Sequence, residues 1–374
     1  LCSHSALSYF SLFLRGKGTH YERKSRTRRP GICGRAVSFI FLIRCRMKIA
    51  LYSRAQASHR AGELDRLFGA LAGHGFSFQV NGEFAGQVTE LTGRLFAPEQ
   101  LYCGPGEIGD EVRVLISYGG DGTFLEAVRV LDLRPIPMIG INSGRLGFLA
   151  NITMEGLDAA LCDIRDGNYA VEERTLLSAE GDFIDRTCYP YAFNEVTIQR
   201  HDTSMIAAEV FVDGEMIATC HGDGMLVSTP SGSTAYSLSV GGPVVAPDCR
   251  CFIVSPIAPH NLTMRPVVVP DTSQVTFRVH TRGEKFFVSL DNRNYLAGDG
   301  TELRVRKAEK SIFLVHLQNI SFYDTLRNKM MWGIDSRERQ KKNERYFFPS
   351  TAGATVFYIP SDMILLNVHA AVRP

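Results

Sequence analysis

The chain has 374 residues, of which 45% are hydrophobic, and a formal charge of +2. That length suits two domains of ordinary size with real cores, and the near-neutral balance excludes the strong global field expected of a nucleic-acid or acidic-membrane binder. Its longest apolar run near the start, Val37 to Ile43, falls far short of the ~20 residues of a membrane-spanning helix, so no membrane partner is expected.

The charge is unevenly spread. Residues 1–46 hold 10 Lys/Arg against one acid, Glu22, and the remainder holds 31 basic against 38 acidic residues, net −7. Residues 1–46 are therefore expected to be upstream sequence ahead of a start at Met47; the alternative for an Arg- and Ser-rich, acid-poor lead is an organelle transit peptide. None of the nine cysteines forms a CxxC pair, and Cys249 and Cys251 are too close for usual zinc spacing. Free thiols in a reducing cytoplasm are the expectation.

From Met47 a first strand is predicted, then a helix over Arg60 to Ala72 with Leu64, Leu67, Phe68 and Leu71 on one face, ended by Gly73 and Gly75. Phe76 to Val80 reads as a second strand, and residues 82–111 as a loop with a short helix. Val112 to Tyr118 is a buried-strand run, followed by Gly119-Gly120-Asp121-Gly122-Thr123, a helix over Phe124 to Leu131 and a strand over Pro137 to Ile141. Strands alternating with helices predict a Rossmann-like α/β domain on a parallel sheet, over 47–165.

The pattern then changes. Over 166–320 strands come in pairs around turns, predicting a mainly antiparallel β domain. Val210 to Val212 meets Met216 to Ala218 across Asp213-Gly214, a hairpin dipeptide. Val275 to His280 and Lys285 to Leu290 flank Thr281 to Glu284, and Leu303 to Arg306 and Ile312 to Leu317 flank another polar break. Residues 321–343 read as a polar, partly helical C-terminal segment. Residues 344–374 differ in composition and are expected to be a non-native or poorly packed tail.

Four segments carry chemistry. Gly120 and Gly122 let backbone N–H groups approach a phosphate chain ahead of a helix N-terminus. Asp121 among them would repel phosphate, but suits a group that accepts or orients a hydroxyl proton or a metal; the bland reading is an ordinary Asp-Gly turn. Gly140 to Leu149 forms a second loop at the same sheet edge, where α/β sheets bind ligands. There Phe148 is either a wall for a base or a core aromatic, and Arg145 either touches phosphate or is only solvated. Asn194-Glu195 offers an amide and a carboxylate to a ribose diol. Gly222 to Tyr236 runs a strand into a hydroxyl-rich Pro-Ser-Gly turn with room for a flat ligand, in which Ser231 is also placed to cap a helix starting near Ser233.

Together these segments resemble the NAD kinases. GGDGTFLEA, GINSGRLGFLA, NEVTI, GDGMLVSTPSGSTAYSLSVGGP and SPIAPHNLTMRPVVVP occur in that family's order and spacing, over about residues 47–340 and most closely as in Bacteroidetes-type bacteria. The resemblance implies a two-domain fold with the site between an α/β and a β-rich domain. It implies transfer of a phosphoryl group from ATP or another donor, with Mg²⁺, to the adenosine 2′-hydroxyl of NAD. Asp121 would be the catalytic aspartate, Gly120 and Gly122 the phosphate-side loop, and Phe148 the aromatic by the adenine. Asn194 and Glu195 would hold a ribose, Asp223 would be a second ligand-binding aspartate, and Ser231, Thr234, Ala235 and Ser239 would line the dinucleotide site. Assembly as a homodimer or tetramer and a cytoplasmic location follow from the same resemblance, as does Asp121→Asn lowering turnover while sparing NAD binding. His221 stands where several relatives carry an Arg linked to phosphate binding, which opens the choice between NAD and NADH. The rivals are a diacylglycerol-type lipid kinase, which shares the GGDGT loop but lacks STPSGSTAY, and a non-catalytic NAD(P)-binding sensor, which would not require Asp121.

Overall fold

A computed structural model describes residues 47–54, 57–144, 147–183, 188–283, 285–318 and 320–333, all within one compact unit. The readings made for residues 1–46, for 344–374 and for Arg145 fall outside them.

The chain opens with β1 (Lys48–Tyr52), α1 (Ala61–Gly73), β2 (Ser77–Asn81), α2 (Gly82–Thr92), β3 (Leu101–Tyr102), β4 (Val112–Tyr118), α3 (Asp121–Leu131), β5 (Met138–Ile141), α4 (Leu157–Asp166) and β6 (Tyr169–Arg174). The i, i+3, i+4, i+7 stripe of α1 is fully buried as expected. Asn81 starts α2 by accepting a hydrogen bond from the Phe84 N–H on its side-chain oxygen.

The β-rich part follows, as β7 (Leu177–Glu180), β8 (Tyr191–Ala192), β9 (Glu195–Arg200), β10 (Ile206–Val212), β11 (Glu215–Gly222), β12 (Gly224–Ser228), α5 (Tyr236–Ser239), β13 (Cys251–Ile257), β14 (Val267–Pro270), β15 (Val275–Thr281), β16 (Lys285–Leu290), β17 (Arg293–Gly298) and β18 (Glu302–Lys307). The chain then returns through β19 (Ile312–Leu317) to α6 (Phe322–Met330).

Three sheets result. The first runs β3-β2-β1-β4-β5-β19-β6, parallel except for β6. The other two, β11-β10-β15-β18-β7-β8 and β14-β13-β12-β9-β16-β17, are antiparallel and share one core, in which Val196, Val210, Phe252, Phe277 and Phe286 are buried. The segment expected as β-rich thus contributes its first and last strands, β6 and β19, to the parallel sheet.

Pairing follows turn chemistry. Asp213 and Gly214 both have positive φ, the primed-turn geometry that matches strand twist, and β10 pairs with β11 across them. The longer breaks do not make hairpins. β15 pairs with β10 and β18, whereas β16 pairs with β9 and β17 in the facing sheet. Likewise β18 and β19 lie in different sheets.

In the parallel sheet the chain runs outward from β1 to β3, then crosses back to β4 and on to β5. The crevice beyond the carboxyl ends of β1 and β4 is therefore a topological switch point, the usual ligand position in such sheets. One face of the sheet packs on α1, α2 and α4. The other packs on α3, whose Phe124, Ala127 and Val128 share a core with Leu176, Phe193 and Ile312. α3 thus lies between the parallel sheet and the β-rich part, with its first residue, Asp121, at the switch point.

Candidate active site

The loop after β4 is short. Gly119 has a φ of +152°, and α3 begins at Asp121 with Gly120 as its N-cap. The Asp121 side chain turns toward the second glycine loop and accepts three backbone hydrogen bonds. The Leu149 and Ala150 N–H groups donate to Oδ1, each at 3.0 Å, and the Phe148 N–H donates to Oδ2 at 3.0 Å. Gly147 makes this possible, since a Cβ there would overlap Oδ1 and lie 2.7 Å from the Asp121 Cγ. The residue expected to be catalytic is thus a clasp between the two loops. Lys329 Nζ, from α6, stands 3.4 Å from Oδ2 and 4.6 Å from the Phe148 ring centroid.

On the other side of the loop, Arg54 follows β1. It donates to the Gly122 carbonyl at 3.0 Å and pairs with Glu126 of α3 at 2.6 Å. Ser53 donates to the Tyr118 carbonyl at 2.6 Å, and His59 stacks on the Tyr118 ring. The ends of β1 and β4 are thereby tied around the crevice.

A cavity of about 310 Å³ opens beside Phe148, with Ser231, Thr234, Phe322 and Arg174 among its walls. Phe148 is therefore not a core aromatic: it is half-buried, lines this cavity and meets Phe322 of α6 at 6.4 Å between centroids. Ser231 does not cap a helix. The segment Ser231–Thr234 is a single 3₁₀ turn with no side-chain cap, and Thr229 takes that role, accepting from the Gly232 N–H at 3.0 Å. The capping oxygen lies two residues earlier because the chain turns at Pro230 instead of beginning an α-helix at Ser233.

Asn194 and Glu195 join this turn through the backbone: the Thr229 N–H donates to the Asn194 carbonyl at 2.9 Å, and the Thr229 hydroxyl to the Phe193 carbonyl at 2.7 Å. The N–H groups of Phe193, Asn194 and Glu195 all donate to the half-buried Asp291 carboxylate, at 2.8, 2.7 and 3.2 Å. Phe193 in turn packs on Phe124 of α3, which links the pair to the Asp121 helix. Glu195 Oε2 is buried without a hydrogen-bond partner among the described residues, an acceptor to which a ribose hydroxyl could donate. Asp223 pairs with Arg200 at 2.9 Å. Ala235 closes the 3₁₀ turn through its N–H, and Ser239 ends α5 exposed. Of the residues expected at the site, Phe148, Ser231 and Thr234 line this cavity, whereas Gly120, Asp121, Gly122, Asn194, Glu195, Asp223, Ala235 and Ser239 do not.

Two family models match the chain: the ATP-NAD kinase N-terminal domain over residues 59–169 and the ATP-NAD kinase C-terminal domain over 193–317. An NAD kinase of Bacteroides fragilis is 37% identical over 292 residues, which span 78% of this chain and 100% of that protein. The chain belongs to the NAD kinase family. Another NAD kinase, from Flavobacterium johnsoniae, is 42% identical over 240 residues, 62% of this chain and 79% of that one. Among solved structures, an Archaeoglobus fulgidus NAD kinase in complex with ATP superposes with TM-score 0.60 at 26% identity, over 76% of this chain and 99% of that one. A yeast NADH kinase complexed with NADH shares the fold, with TM-score 0.68 at 19% identity over 78% and 89% of the two chains. As a member of the NAD kinase family the protein is an enzyme, a phosphotransferase acting on NAD.

Several residues of this NAD kinase fold escape a reading of its sequence. Arg54 and Lys329 lie outside the glycine motifs, and Asp291 stands in an ordinary hairpin turn between β16 and β17. Glu126 is inside the GGDGTFLEA string, five residues past Asp121.

Glu195 is expected to make the fold pH-sensitive. Burial, reinforced by the nearby Asp291 carboxylate and opposed by the Tyr236 N–H, pushes its carboxyl up to about 8; burial raises Asp291 as well. A carboxyl raised above its unfolded value contributes stability that is complete below about pH 4.5 and drains away as pH climbs toward 8. At about 1.4 kcal/mol per pH unit, the loss is on the order of a few kcal/mol. Glu195→Gln keeps the shape and removes the ionisation. Its ligand-free thermal midpoint is expected to exceed the wild-type value by several degrees at pH 8 and to converge with it by pH 5. Melting curves that stay parallel across this range would contradict the assignment.

Proposed function

We propose that Asp121 receives the adenosine 2′-hydroxyl of NAD while the donor triphosphate lies along Gly119 to Gly122. ATP is the donor that the Archaeoglobus fulgidus complex suggests. The observation that carries this reading is the Asp121 carboxylate at the α/β switch point, clasped to the second glycine loop and next to the cavity at Phe148. Phe148, Ser231 and Thr234 would border the base. Asn194 and Glu195 would take a ribose diol, a role that the unpartnered Glu195 Oε2 supports. Asp223, Ala235 and Ser239 would complete the dinucleotide site further along the β-rich part.

The reaction is direct in-line transfer. The 2′-oxygen bonds to the γ-phosphorus, the bond from that phosphorus to its bridging oxygen breaks with the electron pair leaving on the β-phosphate, and Asp121 accepts the hydroxyl proton. Such transition states are loose, so positioning and charge neutralisation supply most of the rate. Among the described residues no group of three or more His, Cys, Asp or Glu is placed to hold a metal. Mg²⁺ would arrive with the donor substrate, held chiefly by phosphate oxygens.

The test is to incubate the full chain with ATP and Mg²⁺ and either NAD or NADH, and to measure NADP and NADPH separately. NADP formation is expected; an intact, folded preparation that binds NAD but forms neither product would favour the sensor alternative, and phosphorylation of diacylglycerol the lipid-kinase one. Cytoplasmic residence and assembly as a dimer or tetramer belong to the same proposal. Cys103, Cys162, Cys220, Cys249 and Cys251 are unbridged thiols, which suits a reducing compartment, and no helix among the described residues is long and apolar enough to cross a membrane. Exposed Val267 and Val268 on the edge strand β14 offer apolar surface for self-association, which sedimentation would check.

A further inference from the structure

We infer that Lys329 is a further catalytic residue: its ammonium holds the place of the acceptor hydroxyl on Asp121, and on substrate binding it turns to the phosphoryl group in transfer. This rests on the role proposed for Asp121. A carboxylate offers about four acceptor positions. Here Oδ1 takes the Leu149 and Ala150 N–H groups, and Oδ2 takes the Phe148 N–H and the Lys329 ammonium. With these four donors the carboxylate has no position to spare. Three of the donors are backbone groups, fixed by a loop closed on itself through the Gly147 N–H to the Ala150 carbonyl at 2.9 Å and the Asn142 N–H to the Ile152 carbonyl at 2.7 Å. Only Lys329 is a flexible side chain, and it is partly exposed. A hydroxyl that reaches Asp121 must therefore take the position of the Lys329 nitrogen.

The displaced ammonium cannot go far. It lies over the Phe148 ring, a position the ring face favours for a cation. α6 is held on the site by three features: Ser321 caps it, accepting from the Asp324 N–H at 3.0 Å, Thr325 and Leu326 are buried, and Phe322 packs on Phe148. A shift of about one hydrogen-bond length, ~3 Å, moves the cation off Oδ2 while keeping it beside the reacting atoms. The donor brings several negative charges to this edge. Lys is a compact cation with three donors, suited to the equatorial oxygens of a transferring phosphoryl group. In the step described above the proton goes to Asp121, and Lys329 stays protonated throughout.

An ion pair as exposed as Lys329 with Asp121 contributes little to folding, so its loss should appear in catalysis and not in stability. Lys329→Met, Lys329→Arg, Asp121→Asn and wild type would be compared for kcat, for NAD affinity without donor by calorimetry, and for thermal midpoint. Lys329→Met is expected to lower kcat by about 10- to 1000-fold, the range seen when one electrostatic donor is removed. Its NAD affinity should be unchanged or tighter, since no ammonium competes for Oδ2, and its midpoint should stay within a degree or two of wild type. Lys329→Arg should recover part of the rate. A Lys329→Met enzyme within about twofold of the wild-type kcat, with Asp121→Asn nearly inactive, would reduce Lys329 to a tether of α6. A rate loss that Lys329→Arg does not relieve, or that follows the fraction of folded protein, would overturn the proposal too. Full turnover by Asp121→Asn would instead remove the reading of Asp121 itself.

Discussion

Asp121→Asn should reduce kcat by about 10²- to 10⁴-fold, the usual worth of a positioned general base, and should also weaken NAD binding about tenfold. The second effect departs from the expectation drawn from the sequence, in which NAD binding was spared, and it comes from the clasp. The carboxylate accepts from the Phe148, Leu149 and Ala150 N–H groups. An asparagine keeps one acceptor oxygen and turns an NH₂ toward the remaining donors, so at least one half-buried N–H loses its partner, at a cost of about 1–3 kcal/mol. The loop that carries Phe148 should then loosen, and with it the wall of the cavity. Steady-state kinetics and NAD titration of the purified variant would separate the two effects. Near-wild-type turnover would take Asp121 out of the chemistry, and unchanged NAD affinity would mean that the loop holds its shape without the clasp.

The parts of this molecule that local chemistry determines could be read in advance. The stripe Leu64, Leu67, Phe68, Leu71 announces α1, and Asp213-Gly214 announces the hairpin of β10 and β11, because periodicity and turn geometry are properties of neighbouring residues. The strand runs around Thr281 were equally legible, but their partners were not. β15 and β16 part into facing sheets, a choice made by burial on the far side of the core. The start of α3 was misplaced by one turn for a related reason: Asp121 and Gly122 carry no apolar signal, and the stripe begins only at Phe124.

The site shows the same division. Gly119 to Thr123 reads as a candidate phosphate-side loop from its glycines and its place between a strand and a helix. That the acid within it binds the amides of a loop nearly 30 residues later, and that α6 sets a lysine against it from 208 residues away, are facts of tertiary contact with no local pattern. Asp291 holds the N–H groups of Phe193, Asn194 and Glu195 across almost 100 residues, so the geometry of the Asn-Glu pair depends on a turn that looks ordinary.

Gly147→Ala tests the clasp without touching a reactive group. Its added methyl would overlap the Asp121 Oδ1 and press on Cγ, while the carboxylate is tied on both oxygens and cannot rotate away without releasing the Leu149 and Ala150 N–H groups. Either the loop retreats or Asp121 leaves its position, and a misplacement of about 1 Å at a reacting centre can cost about 10²-fold in rate. We expect kcat to fall by at least that factor while the protein stays folded, because the contact lies in a loop at the sheet edge and the three cores are untouched. Gly144→Ala supplies the control three residues earlier: among the described residues a Cβ there meets only the Asn142 Oδ1, at 4.0 Å, so the same change in composition should leave turnover close to wild type. Equal effects of the two substitutions would mean that the loop is merely intolerant of side chains. A selective loss at Gly147 would tie the rate to the place where one carboxylate oxygen sits.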